Sequence, residues 1–281
     1  MNVPALTSKS AWLPLTPRGV AAFAAAKINR LWLVQFLFAL MGALTIGWFL
    51  HWAWVPTIRD AISALPDNSR ISHGRLEWPG ASPTVLAEGP FIAFAVDLDH
   101  RGEVATSSDV VVELGRTDWQ LTSLLGALDL AGLLSTSYPQ GYTIELDRET
   151  MVPWWGAREP FIIAISMGVA GLSLVLSWTL LATLYAPFVW LGAFYANRAA
   201  NLAGSWKLAG AALMPGALFM TAATLFYGLG AFDLLRLALA FAMHFVVSWF
   251  YLVAATVSLP RHPEVPPAGT NPFNFPPPPS A

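Results

Sequence analysis

The stretch LWLVQFLFALMGALTIGWFLHWAWV, residues 31–55, decides the fold, because it runs without a single Asp, Glu, Lys or Arg. It exceeds the roughly 20 residues a helix needs to cross a bilayer. Three more stretches of this kind follow, Phe161–Tyr185, Leu208–Phe232 and Leu237–Pro260. Between the first and the second lies the opposite composition: 15 of the 17 acidic residues fall between Arg59 and Glu159. Two solvents are implied, lipid for the runs and water for the acidic block. The expected fold class is an α-helical membrane protein with about four transmembrane helices and an inserted small extracytoplasmic α+β domain.

The whole composition agrees, with 56% hydrophobic and 11% charged residues against roughly 25% charged in soluble domains. The absence of cysteine excludes disulfides, thiolate metal sites and cysteine nucleophiles together. The net charge of −2 averages basic flanks with an acidic block and provides no surface for nucleic acid.

Lysine and arginine in short segments resist translocation, so their placement sets the orientation. Lys9, Arg18, Lys27 and Arg30 precede the first span, Arg198 and Lys207 lie between the second and third, and Arg261 follows the fourth. With four spans all seven share one side, the cytoplasm, and an aromatic belt of Trp48, Trp52, Trp54, Trp154 and Trp155 marks the outer interface. The expected segments are a cytoplasmic 1–30, a span over 31–55, the external domain over 56–160 and a span over 161–185. Then come a cytoplasmic interfacial helix over 186–207 divided off by Pro187, spans over 208–232 and 237–260, and a proline-rich cytoplasmic tail over 261–281. Residues 186–207 either lie at the interface or re-enter the membrane. The first run is too long and too bulky at its outer end for a cleaved signal peptide. Thr16 before Pro17 reads as an N-cap with proline at the first helical position.

Within the block, Val85–Leu86, Phe91–Leu98 and Asp109–Leu114 read as adjacent strands. Leu121, Leu124, Leu125, Leu128 and Leu133 recur at helical spacing in Trp119–Leu134, and Tyr142, Ile144 and Leu146 alternate on one strand face. A twisted sheet with one covering helix follows.

This order of one inward-started span, an external segment and three C-terminal spans resembles an uncharacterised family of bacterial polytopic membrane proteins. The residues that carry the resemblance are Leu65-Pro66, Ile71-Ser72-His73-Gly74-Arg75-Leu76 and Asp97-Leu98-Asp99-His100-Arg101-Gly102. Some members of that family are encoded beside sugar-utilisation genes. The resemblance implies the topology and a bacterial plasma membrane, and no chemistry.

Two places could carry chemistry. Asp97, Asp99 and Gly102 occupy the first, third and sixth positions of a calcium-type loop, but Arg101 and Ser108 stand where the fifth and twelfth ligands belong. The alternative is a polar turn between strands, with Gly102 at positive φ. His244 is the one ionisable side chain deep in a span, with Ser248 a turn further on. It either hydrogen-bonds to a neighbouring helix, through Ser166, Ser177 or Thr224, or contacts a proton or substrate. No nucleophile elbow, zinc motif, phosphate loop or dinucleotide fingerprint accompanies these residues, so neither a catalytic residue nor a cofactor is expected.

Small residues at Ala43 and Gly47, and at Ala164, Gly168 and Gly171, suit close helix packing within the bundle or between two copies. Pro215 is placed to kink the third span. The tail after Pro260 is extended, with Phe273 and Phe275 as the anchors a proline-reading partner would use. The function expected is a plasma-membrane accessory or sensor-like protein whose external domain binds a partner or ligand, with other membrane or extracytoplasmic proteins as partners beside the bilayer. A transport component built around His244 is the alternative, and an intramembrane hydrolase using Ser248 or Ser177 the third reading.

Overall fold

The computed structural model describes residues 14–101, 107–123 and 135–261. The chain forms two compact units, the first made of Met1–Phe38, Leu174–Ala217 and Met243–Ala281, the second of Ala39–Ser173 and Leu218–Ala242.

Among the described residues, four helices are long and apolar enough to cross a membrane: Ile28–Ser63, Arg148–Tyr195, Leu202–Gly228 and Leu234–Val257. The first of them is α2 (Ile28–Phe49), a π-helical turn (Leu50–Trp54) and α3 (Val55–Ser63) end to end. The others are α4 (Arg148–Tyr195), α5 (Leu202–Gly228) and α6 (Leu234–Val257), and a short α1 (Pro17–Ala22) precedes them all.

In the first unit, the Thr16 hydroxyl accepts the Gly19 N–H at 3.0 Å, with Pro17 opening α1 as expected. A 3-10 turn over Phe23–Ala25 ends this helix before α2 begins. Lys207 Nζ donates to the Ala26 carbonyl at 2.7 Å at that break, where no helical partner is available. The core is the α5 segment Leu208, Ala209, Ala211, Ala212 and Met214, fully buried with Val20, Phe23 and Leu31. Small residues admit this packing: Gly210 faces Leu31 and Gln35, and Gly204 faces Ala24.

The second unit holds the strands. β1 (Arg70–Ser72), β2 (Arg75–Glu77) and β8 (Ile144–Glu145) form one antiparallel sheet in the order β2-β1-β8. β1 and β2 are joined through His73 and Gly74, both at positive φ (51° and 74°), the two-residue hairpin geometry that glycine favours. The second sheet runs β3 (Thr84–Glu88), β4 (Ile92–Val96), β5 (Val110–Leu114), β6 (Asp118–Ser123) and β7 (Ser135–Ser137) in sequence order, with only β4 and β5 parallel. Ile71, Leu76, Val96 and Tyr138 form a buried core to which both sheets contribute. β4 is buried on both faces because α3 packs on it and on β3.

Three expectations are corrected. The segment 186–207 is not a separate helix: α4 continues through Pro187 to Tyr195, and α5 starts at Leu202. One proline removes a single backbone bond, which an otherwise apolar helix tolerates. Trp119–Ser123 is strand β6, held by β5 on one side and β7 on the other, rather than the start of a helix. Ladder pairing on both edges overrides a leucine periodicity whose remainder, 124–134, lies outside the described residues. The expected single sheet is two, and the helix that covers it is α3, outside the segment where one was expected.

Candidate functional site

The turn after β4 is built on Asp97, which has no exposed surface. One carboxylate oxygen accepts the Asp99 N–H at 3.2 Å and the other the Arg101 N–H at 2.5 Å. The His100 N–H closes the turn on the Asp97 carbonyl at 3.2 Å. Asp99 faces solvent between Arg116 (3.1 Å) and Arg101 (3.4 Å). The hydrogen bond from Arg116, together with the charge of both arginines, outweighs the cost of burial and holds its carboxyl below the usual aspartate range. Gly102 lies outside the described residues, and the positive φ found at this turn belongs to His100 (51°).

His100 folds back over the sheet. Its Nδ1 meets Glu113 in a short hydrogen bond, and its Nε2 stands 3.3 Å from Asp118. Gln120 donates to the same Glu113 carboxylate at 3.1 Å. Burial disfavours the imidazolium, but the hydrogen bonds and charges of Glu113 and Asp118 outweigh it and hold the His100 pKa above its ordinary value. Glu113 is almost wholly buried, and an imidazolium beside it is the compensation a buried carboxylate requires. Gly115 makes room for the ring, which any Cβ there would strike. Both Asp97 oxygens thus serve backbone N–H groups and both Asp99 oxygens serve arginines. Among the described residues, no group of three or more His, Cys, Asp or Glu side chains is placed to hold a metal ion.

In α6, Ser248 is 2% exposed and its hydroxyl donates to the His244 carbonyl at 2.9 Å. The hydroxyl proton therefore points at the backbone one turn back, where a nucleophile would offer it to the imidazole. The His244 ring stands 3.9 Å from that of Phe245, centroid to centroid. Of the hydroxyls expected to reach it, Ser177 donates to the Leu174 carbonyl and Thr224 to the Met220 carbonyl, each within its own helix. Gln35 carries no ionisable group and drew no notice in the sequence. Its side chain is fully buried, and neither amide atom has a hydrogen-bond partner among the described residues.

Arg59 and Glu159 were also missed, being 100 positions apart. In α3 and α4 they form a bidentate pair, Nε to Oε2 at 3.0 Å and Nη2 to Oε1 at 2.8 Å, with Glu159 7% exposed. His51 Nδ1 lies 3.9 Å from the same carboxylate. Beside the pair is a groove of about 340 Å³ between α3 and α4, walled by Ile62, Val152, Trp155 and Gly156.

The sheet is joined to helix ends within the second unit. The Tyr227 hydroxyl donates to Asp109 Oδ2 at 2.6 Å, just before β5. The Tyr227 ring packs against Phe91 and Phe49 with centroids 4.9 and 5.4 Å away, and Phe49 meets Phe91 at 5.4 Å.

These features define a class: a chain with, among the described residues, four helices long and apolar enough to cross a membrane, interrupted after the first by a pair of β-sheets. No protein-family model, no curated protein and no solved structure matches it.

Proposed function

We propose that this chain is a multi-pass plasma-membrane protein of accessory or sensor type, with residues 56–160 extracytoplasmic and both ends in the cytoplasm. The external sheets bind a partner or ligand, and the chain works as a subunit of a larger membrane complex. The order of its segments, which resembles that of a family of bacterial membrane proteins, favours a bacterial inner membrane. The basic residues flanking the apolar runs support the orientation.

The observation that carries the reading is the joint between Asp109 and Tyr227, with Phe49 and Phe91 packed around it. A domain that merely hangs between two spans needs no such contact. Here a displacement at the start of β5 must either move the end of α5 or break a hydrogen bond to a carboxylate, which is a physical route by which binding outside biases a helix. The Ser248 hydroxyl donates to a backbone carbonyl, and binding is the activity these sites support best.

The test is purification of the full chain in mild detergent from its host membranes, followed by mass spectrometry, for wild type, Tyr227→Phe and His244→Ala. A stoichiometric membrane or envelope partner retained by His244→Ala and altered by Tyr227→Phe supports the proposal. A chain that purifies alone, and whose His244→Ala variant abolishes uptake of a solute, favours the second reading, a transport component. That second reading draws on Gln35, whose unpartnered amide in an apolar helix is the kind of group that lines substrate pathways.

A further inference from the structure

We propose that the groove between α3 and α4 is a site for the headgroup of a zwitterionic phospholipid, one with a phosphate and an amine. The proposal goes beyond the accessory or sensor reading and rests only on its membrane component.

One stripe of α4 makes the argument. At its lower end Gly171 lies against Ala43, and Met167 fills the position opposite Gly47, so α4 packs directly on α2. Three- and four-residue steps along the same face lead from Met167 to Ile163, Glu159, Gly156 and Val152. At Glu159, Gly156 and Val152 the neighbour is α3, and the contact is replaced by an open groove of about 340 Å³. The change coincides with the π-helical turn Leu50–Trp54 that separates α3 from α2, an irregularity found frequently at functional sites. A Cβ built on Gly156 meets nothing within 4 Å, so the wall is open at its centre.

The chemistry of the walls selects the ligand. Glu159, more than nine-tenths buried, uses both oxygens on the Nε and Nη2 edge of Arg59, leaving Nη1 on a side chain that is 59% exposed for a second acceptor. Trp155 lines the groove, and its buried indole N–H has no acceptor among the described residues. The exposed Nη1 edge of Arg59 suits a phosphate oxygen. Arg59 and Glu159 sum to zero charge, so the groove presents no net positive field to an anionic headgroup, whereas a zwitterion can set its phosphate on Arg59 and its ammonium against a remaining lone pair of Glu159. Phe161 and Ile165, each about two-thirds exposed, begin the apolar surface of α4 within two turns of Glu159, where an acyl chain attached to such a headgroup would lie.

The experiment uses the full chain in vesicles of equal phosphatidylethanolamine and phosphatidylglycerol, solubilised gently and analysed for retained lipid. Wild type is expected to retain phosphatidylethanolamine in preference, and Gly156→Leu, which fills the groove and raises helix propensity, to lose that preference by about tenfold. Arg59→Lys, which keeps a cation beside Glu159 without the guanidinium's second edge, is expected to weaken it as well. Equal retention by wild type and Gly156→Leu, or a preference for phosphatidylglycerol, overturns the proposal. So does displacement by soluble glycerophosphoethanolamine at the concentration of the intact lipid, which would make the ligand a free headgroup. A chain released by alkaline carbonate fails the membrane reading and this proposal together, whereas a carbonate-resistant chain without lipid preference fails the proposal alone.

Discussion

Asp97 shows how a residue that looks like a ligand can be a structural part. Its buried carboxylate accepts the N–H groups of Asp99 and Arg101 and so fixes the turn that follows a buried strand. Asp97→Ala is expected to cost about 1–3 kcal/mol, the worth of hydrogen bonds to a charged acceptor, measured as a lower midpoint of denaturant unfolding for the purified full chain. Asp97→Asn, which keeps one acceptor oxygen, is expected to lose less; equal losses would contradict this account. His100 gives a pH signature. It is faced by Glu113, Asp118 and Gln120, and it binds its proton more tightly when folded than when unfolded. Its contribution is therefore complete below the ordinary imidazole pKa of about 6.5 and is lost as the pH rises through the folded value. Hydrogen exchange in Val110–Ser123, corrected for intrinsic rate, should quicken above about pH 6.5, and His100→Gln should flatten that rise. Asp99 acts in the opposite sense, its stabilisation falling away as acid titrates it, but it is solvent-exposed and screened. The turn itself was legible in Asp97-Leu98-Asp99-His100-Arg101-Gly102. Glu113 was not, because it sits in a run that reads as an apolar strand, and its charge is compensated from another strand's end.

At the scale of elements, apolar composition revealed which segments form the long helices but not where they stop. α4 begins at Arg148 and ends at Tyr195, overrunning the apolar run Phe161–Tyr185 at both ends, because a helix continues as long as its backbone bonds can form. β6 shows the reverse failure: Leu121 belongs by spacing to a helix, yet it pairs with Val112 of β5 in a strand whose first half is also held by β7. Helix contacts were partly legible. Where α2 and α4 meet, Gly171 lies against Ala43 and Gly47 against Met167, while nothing lies within 4 Å of a Cβ built on Gly168. Gly216 passed unnoticed in the sequence although α5 lies close against α6 there: a Cβ would strike the Ser248 hydroxyl and lie 2.5 Å from the His244 carbonyl oxygen. Gly216→Val is expected to destabilise the chain by about 1–3 kcal/mol through forced separation of the two helices. Removing the hydroxyl with Ser248→Ala should not rescue it, since the carbonyl remains; thermal unfolding of the single and double variants in detergent checks both statements.

At the scale of the whole molecule, the proposed arrangement depends on an even number of membrane crossings. The basic residues Arg18, Lys27, Arg30, Arg198, Lys207 and Arg261 then share one compartment, and the acidic sheets face the other. An additional crossing near Pro187 would have inverted the last two helices, and the unbroken run of α4 through that proline leaves no turn there for one. The absence of cysteine lets single cysteines report sides without background. The most direct measurement is labelling of Ala81→Cys and Ala196→Cys by a membrane-impermeant maleimide in intact cells. Ala81→Cys should react at once and Ala196→Cys only after permeabilisation; reaction of both in intact cells, or of Ala196→Cys alone, would contradict the four-span arrangement.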